Sequence, residues 1–181
     1  KLDALAEAGL DAVLLLDFDA ALAALDGETF FTRILGDRLR FASIHVGTHF
    51  RFGRGRSGDL ELLRNLGRST GFEVQGVPPV TLDGEVVSSS AIRRAVEDGD
   101  IQRAHRMLGS PFAVEGLVVR GAGRGRTLRF PTANVEPDNE LLPRRGVYVT
   151  ETRVLGGRYA SVSNVGTRPT FDGGSLAVEA H

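Results

Sequence analysis

The sequence predicts an α/β protein in which a domain built on a parallel sheet precedes a small antiparallel β-barrel. Up to residue 108, short apolar runs alternate with stretches of helical periodicity, which is typical of parallel strands covered by helices. Beyond it, segments rich in Val, Tyr and Thr follow one another with glycine turns between them, which is typical of an antiparallel sheet or barrel. We therefore assign residues 1–108 to the first domain and 109–181 to the second.

Helices and strands alternate through the first domain. Helices are predicted where leucine, isoleucine or alanine recurs at helical spacing, over residues 1–8, 28–35, 59–66, 89–96 and 100–108. Strands are predicted where short apolar or β-branched runs stand between them, over residues 12–16, 41–46, 72–77 and 85–87.

The second domain shows few helical periods. Its strands are predicted over residues 112–119, 146–152, 159–162 and 177–181. Gly156 and Gly157 stand between two of these runs, and a Gly-Gly pair is typical of a two-residue hairpin turn.

Composition narrows the possible functions. The chain has 41% hydrophobic and 25% charged residues, and its net charge of −1 lacks the basic field of a general nucleic-acid binder. With no cysteine it has no disulfide, thiolate metal site or cysteine nucleophile. No apolar run approaches the roughly 20 residues that span a bilayer, and no signal peptide precedes the first helical pattern. We expect a cytoplasmic protein with no membrane or nucleic-acid partner.

The first candidate motif directly follows the second predicted strand. It contains Phe50, Arg51, Phe52, Gly53 and Arg56, at the carboxyl end of a strand where open α/β sheets bind ligands. Glycine lets the backbone approach a ligand, and arginine grips phosphate with two hydrogen bonds. We predict contacts to a flavin or a phosphate, and a solvated basic turn is the alternative.

The second motif opens a predicted helix. Ser88, Ser89 and Ser90 can cap that helix and leave its amide donors facing an anion, with Arg93 one turn further on. We predict a nucleotide-phosphate site, and a simple helix cap is the alternative.

The third motif is a glycine-rich loop followed by two neutral oxygen donors. The backbone amides of Gly121, Gly123 and Gly125 are suited to wrap phosphates. Thr132 and Asn134 offer hard oxygen ligands, which suit Mg²⁺ shared with substrate phosphates. The alternative is a flexible loop with a turn-forming asparagine.

The fourth motif is acidic. In a strand, Glu179 and His181 project to the same face. A carboxylate that faces a barrel mouth can act as a general base, whereas one that faces outward is ordinary surface.

Taken in order, the four motifs resemble the bacterial riboflavin kinase/FMN adenylyltransferase family over the whole chain. Residues 46–58 are similar to its Gly-x-Asp-Phe-x-Phe-Gly stretch, and residues 88–93 to its Ser-Ser-Thr-x-Ile-Arg signature. Residues 121–134 resemble the kinase's glycine-rich flap and end in its Pro-Thr-Ala-Asn motif, residues 131–134. Glu179 stands where the family has its catalytic glutamate, in a Val-Glu-x-His context.

The resemblance implies a nucleotidyltransferase domain followed by a riboflavin kinase barrel. The kinase would transfer the γ-phosphate of ATP to riboflavin, with Glu179 as base and Mg²⁺ near Thr132 and Asn134. The adenylyltransferase would join FMN and ATP into FAD, with residues 88–93 at the triphosphate. ATP, riboflavin and FMN are the expected partners.

The chain also departs from the family pattern. His49 stands where the family has Asp or Asn, Ser90 where Thr is common, and Arg129 where Gly is usual. The adenylyltransferase's His-x-Gly-His motif does not occur, and the family continues beyond Glu179 with further strands and a helix. We therefore expect the chain to lack both ends of the family's sequence and its adenylyltransferase site to be incomplete.

Two other functions remain open. A non-catalytic fragment would bind flavin or adenine nucleotide without turnover. An RNA-binding module would use the arginines beside Phe50 and Phe52 together with the Arg-Gly loop, although the near-neutral charge disfavours it.

Overall fold

The computed structural model describes residues 2–120, 132–167 and 176–181. The chain divides into two compact units, Lys1–Pro79 and Val80–His181. The α-helices are α1 (Leu2–Glu7), α2 (Ala20–Ala23), α3 (Gly27–Phe30), α4 (Leu60–Thr70), α5 (Ser89–Asp98) and α6 (Ile101–Leu108). A π-helical turn, Phe31–Gly36, continues α3, and a 3-10 turn spans Arg54–Arg56.

The strands form one parallel pair, one short hairpin and one antiparallel sheet. They are β1 (Ser43–Gly47), β2 (Glu73–Val77), β3 (Thr81–Leu82), β4 (Glu85–Val86), β5 (Gly116–Val119), β6 (Ala133–Pro137), β7 (Gly146–Val154), β8 (Gly157–Thr167) and β9 (Leu176–Ala180). β1 and β2 pair in parallel, and β3 and β4 form the hairpin. The antiparallel sheet has five strands in the order β5-β6-β9-β8-β7.

In the first unit, α4 connects the two parallel strands. Asp59 caps its start by accepting a hydrogen bond from the backbone N–H of Leu62 at 2.9 Å, and Gly71 ends it with φ of 87°. Leu63 lies buried on its inner face. This geometry returns the chain so that β2 runs parallel to β1, as a βαβ crossover requires.

Three phenylalanines build the aromatic part of that unit's core. The ring centroids of Phe31, Phe41 and Phe72 lie between 5.3 and 5.9 Å from one another. Such tilted and edge-on contacts add to the free energy that the rings gain from burial.

In the second unit, α5 and α6 form a helical pair around a small aliphatic core. Ala95, Val96 and Ala104 are fully buried. Gly99 ends α5 with φ of 81°, and Asp100 then caps α6. The sharp reversal at these two residues brings the apolar faces of the helices together.

The two faces of the antiparallel sheet differ in burial where β7 and β8 pair. Val165, Val178 and Ser163 are buried on one face. Val147 and Val149 project to the other face and are 70% and 94% exposed. Because side chains alternate along a strand, each strand contributes to both faces.

Most predicted elements are confirmed, including the helices that became α4, α5 and α6, the parallel pair and the antiparallel sheet. Two predictions fall short. In the described residues, no pairing joins the outer strands β5 and β7, so the sheet is confirmed but its closure into a barrel is not. The predicted hairpin turn is present but shifted by one residue, since Leu155 and Gly156 are its central pair.

The strand predicted over residues 12–16 is wrong. This segment is not a strand, and Leu14 and Leu15 are 57% and 70% exposed. A strand needs neighbours for its N–H and C=O groups, and no described strand pairs with this run. The apolar run alone does not supply those neighbours.

Candidate functional site

The antiparallel sheet places three polar side chains side by side. Asn134 on β6 is directly opposite Glu179 on β9, and Glu179 is directly opposite Asn164 on β8. Directly opposed residues project to the same face of a sheet, and neighbouring strands lie about 4.8 Å apart. The three side chains therefore form a polar row with the carboxylate in the middle.

The polar row lies on the face of the sheet that carries Val147 and Val149. Glu179 and Asn134 are half-buried, and Asn164 is exposed. Val119 and Val147 are the next residues across the sheet at the two ends of the row. Among the described side chains, no cation forms an ion pair with Glu179. The carboxylate is thus free to accept a proton or a hydrogen bond from a ligand.

Thr132 and Asn134 lie at the N-terminal end of β6. Both are half-buried, and they lie two residues apart at the start of β6. Asn134 and Glu179 place an amide and a carboxylate side by side, and the hydroxyl of Thr132 stands two residues before Asn134 in the chain. The predicted phosphate-binding glycines Gly121, Gly123 and Gly125 lie outside the described residues, as does Arg129.

Sequence reasoning missed Asn164. Nothing in its local context distinguishes it from other polar residues of an exposed strand face. Its place beside Glu179 follows from the register of β8 against β9, which joins residues 15 positions apart in the chain. Strand β6 was not predicted either, because its polar residues and Pro137 do not give the apolar pattern of a strand.

The first motif forms a compact loop after β1. Phe52 and Gly58 pair across it through two backbone hydrogen bonds of 3.0 and 2.8 Å. The ring of Phe52 stacks on Phe50 at 5.4 Å and meets Phe30 edge-on at 6.0 Å. Phe50 stays 42% exposed. Phe52 therefore holds the loop together, while Phe50 presents a ring face to solvent.

Gly53 allows the backbone of the loop to lie in close contact with the start of α3. Its φ of 72° and ψ of 169° define a conformation restricted to glycine. A β-carbon there would lie 2.4 Å from the backbone nitrogen of Gly27. The backbone N–H of Arg54 donates to the carbonyl of Leu25 at 2.7 Å, which closes the same contact.

The arginines of this loop remain exposed. Arg51 donates to the carbonyl of Phe50 at 2.9 Å, and Arg56 has a positive φ of 60°. Asp26, near Arg54, is the residue that caps α3. The backbone N–H of Thr29 and then its hydroxyl donate to Asp26 and, with Arg54, hold the pKa of that carboxyl below its usual value.

In the second motif, one serine caps the helix and the other residues are exposed. The hydroxyl of Ser88 accepts a hydrogen bond from the backbone N–H of Ala91 at 3.2 Å, which caps α5. Ser89, Ser90 and Arg93 are exposed around the first turn of that helix. Ser88 is therefore a structural cap, and the other three residues are available to an anion.

The described residues contain few groups of the kind that usually bind a metal ion. Within the described ranges, no group of three or more His, Cys, Asp or Glu side chains is placed to hold an ion. Thr132 and Asn134 carry neutral oxygens of the kind that hard cations prefer. In the part of the chain that the structure covers, no helix is long and apolar enough to cross a membrane.

Two protein-family models match the two parts of the chain that hold these motifs. The FAD synthetase family model matches residues 1–91, and the riboflavin kinase family model matches residues 108–181. The chain belongs to the FAD synthetase family. The motif loop after β1 and the serines of α5 lie within the first match, and the polar row lies within the second.

Curated relatives of the family match along almost the whole chain. The bifunctional riboflavin kinase/FMN adenylyltransferase of Escherichia coli strain K12 is 42% identical over 182 residues, which covers 100% of this chain and 58% of that protein. The protein of the same name from Pseudomonas fluorescens is 39% identical over 174 residues, covering 96% of this chain and 56% of that protein. The chain therefore spans somewhat more than half the length of these relatives.

A solved structure has the same fold. A chain described as a macrolide-efflux protein from Streptococcus pneumoniae is 32% identical, with a TM-score of 0.89 over 99% of this chain and 58% of that one. The efflux description is that of the Streptococcus pneumoniae protein.

Proposed function

We propose that this protein acts in flavin-nucleotide synthesis, and that residues 109–181 phosphorylate riboflavin to FMN with ATP. The observation that carries the proposal is the position of Glu179, half-buried between two amide side chains on one face of the sheet. Support also comes from the riboflavin kinase match over residues 108–181. The barrel expected for this domain, with its boundary near residue 109, belongs to the same proposal.

The proposed reaction is a direct phosphoryl transfer. The 5′-hydroxyl oxygen of riboflavin forms a bond to the γ-phosphorus of ATP, the bond from that phosphorus to the bridging oxygen breaks, and ADP leaves. The hydroxyl proton passes to the carboxylate of Glu179. Such transfers depend mainly on positioning and on charge stabilisation, with a carboxylate at the nucleophile.

The residues at the start of β6 fit a magnesium ion that accompanies ATP. Thr132 and Asn134 would hold it, because a hydroxyl and an amide oxygen are hard neutral ligands that leave room for water and phosphate. When bound, the ion would offset negative charge on the phosphates. Glu179, one strand away, would keep its carboxylate for the acceptor hydroxyl.

The first domain of the proposal, residues 1–108, would contribute to adenylylation of FMN, but it lacks the family's His-x-Gly-His motif, so we do not expect its site to be complete. A phosphate oxygen of FMN would bond to the α-phosphorus of ATP, and pyrophosphate would leave. Ser89, Ser90 and Arg93 would bind the triphosphate, since they are exposed at the positive end of α5. Phe50, Arg51 and Arg56 are proposed for the flavin or phosphate side, with Gly53 shaping the loop.

The test of the kinase proposal is the substitution Glu179→Gln. It keeps the size of the side chain but removes the base, so we expect the rate of FMN formation from riboflavin and ATP to fall by about 10²–10⁴-fold. Riboflavin affinity should stay within a few fold. The measurement is FMN formation by chromatography together with riboflavin fluorescence titration.

Glu151→Gln is the matched control, because Glu151 lies on the same face of the sheet but toward the far end of β7. Equal rates for the Glu179→Gln variant and the unaltered protein would refute the assignment of the base. Riboflavin binding without any FMN formation would instead support the non-catalytic binding function. Tight, salt-resistant RNA binding would favour the RNA-binding module, since nonspecific phosphate contacts weaken strongly with salt.

A further inference from the structure

Asn164 occupies the third position of the polar row and has no role in the function described so far. Its side chain is exposed, and no other described residue forms a hydrogen bond with it. The amide leans along β8 over Gly166, where its nitrogen lies 3.4 Å from the place that a β-carbon would take. The amide therefore lies beside Gly166 at the distance of an ordinary van der Waals contact.

Glu179 lies between two strands that carry different side chains next to it. Asn134 and Thr132 lie on the β6 side, and Asn164 lies on the β8 side. In an in-line transfer the attacking and leaving oxygens stand on opposite sides of the phosphorus, and the base stands at the attacking oxygen. If ATP lies on the β6 side, the acceptor alcohol has to approach Glu179 from the β8 side.

The chemistry of the β8 side suits a polyhydroxy acceptor. A carboxamide both donates and accepts hydrogen bonds, so it can bind neighbouring hydroxyls in either orientation. Val147 lies opposite Asn164, and Val162 lies two residues before it on the same face; both are exposed. A polar group beside exposed valines matches a ligand that joins a hydroxylated chain to an apolar ring.

We propose that Asn164 binds the hydroxyl chain of the acceptor substrate and sets its affinity, while Asn134 serves the nucleotide. The inference rests on the proposed kinase function and extends it to a division of roles along the row. Each residue then controls a different kinetic quantity: Asn134 the affinity for nucleotide, Glu179 the rate of transfer, and Asn164 the affinity for acceptor.

The test is Asn164→Ala, assayed with riboflavin and Mg²⁺-ATP. Loss of one or two hydrogen bonds should raise both KM and Kd for riboflavin by about three- to tenfold. KM for ATP should not change. Riboflavin Kd is measured by fluorescence titration in the absence of ATP, so this readout does not depend on turnover.

Gly166→Ala provides a second variant that leaves the amide present. Ordinary backbone geometry at Gly166 tolerates alanine, and the new methyl group would lie in van der Waals contact with the amide of Asn164, 3.4 Å from its nitrogen, and occupy space beside it that is open to a ligand. We expect riboflavin KM to rise in this variant also, without loss of thermal stability. Ala160→Ser, on the same face at the far end of β8, is the control and should leave KM unchanged.

The outcomes separate the inference from the function on which it rests. If the unaltered protein makes FMN and Asn164→Ala leaves riboflavin KM and Kd unchanged, the role of Asn164 is refuted and the kinase proposal stands. A change confined to KM for ATP, or to kcat, also refutes it. If the unaltered protein neither binds nor phosphorylates riboflavin, the proposed function itself fails.

Discussion

The loop after β1 and the polar row of the antiparallel sheet are assembled in opposite ways. In the loop, Phe52 and Gly53 contact neighbouring backbone and rings, so much of the motif maintains its own shape. In the row, Asn134, Glu179 and Asn164 lie on a face whose stability comes from the other side of the sheet, where Val165 and Val178 are buried. Substitution should therefore affect stability in the loop and ligand chemistry in the row.

The largest expected effect on stability is at Gly53. A β-carbon would lie 2.4 Å from backbone, and alanine is disfavoured at this φ and ψ. We expect Gly53→Ala to lower the free energy of unfolding of the first unit by about 2–5 kcal/mol. Urea denaturation followed by circular dichroism is the measurement.

Gly55 offers a matched control two residues away. It also has a positive φ, 64°, but an added β-carbon would meet nothing within 4 Å. Gly55→Ala should therefore lower stability only by about 1–2 kcal/mol, from the left-handed backbone alone. Equal losses at both positions would mean that backbone conformation, rather than the close approach to α3, makes glycine necessary.

A smaller loss of stability is expected at the serines that begin α5, where one hydroxyl caps the helix and the others are proposed to bind phosphate. Ser88 accepts a helix-capping hydrogen bond, so Ser88→Ala should lower the free energy of unfolding by about 1 kcal/mol. Ser89→Ala should change it by less than about 0.5 kcal/mol, because that exposed hydroxyl caps nothing. Thermal denaturation of both variants checks this, and a larger loss for Ser89→Ala would contradict it.

The smallest expected effect on stability is at a hairpin turn, and the chain offers two such turns for comparison. Asp83 and Gly84 are central in the β3–β4 turn, and Leu155 and Gly156 in the β7–β8 turn; all four have positive φ. Asparagine and aspartate tolerate that conformation better than leucine, and Leu155 is fully exposed. We expect Leu155→Asn to raise the free energy of unfolding by about 0.5–1 kcal/mol.

The reciprocal change, Asp83→Leu, should lower stability by a similar amount, because it places leucine in the same unfavourable conformation. Riboflavin phosphorylation should be unaffected by Leu155→Asn, since this turn is remote from the polar row in strand register. A loss of activity without a change in stability would show that the turn takes part in the site.

Local sequence determined the helices and their ends. Asp59, Ser88 and Asp100 each cap a helix with a side-chain oxygen, and glycines with positive φ end α4, α5 and α6. These signals act between residues a few positions apart, so they are readable without the fold. The Pro-Thr-Ala-Asn motif and its downstream glutamate likewise identified the family from their order in the chain, and the family matches confirm that identification.

Tertiary structure decided which residues become neighbours. The apolar run at residues 12–16 has the composition of a buried strand but pairs with no described strand, because pairing depends on partners that composition does not specify. Asn164 came to lie beside Glu179 only through the register of β8 and β9. A shift of one residue would turn either side chain to the other face of the sheet, so register, not residue type, sets the membership of the row.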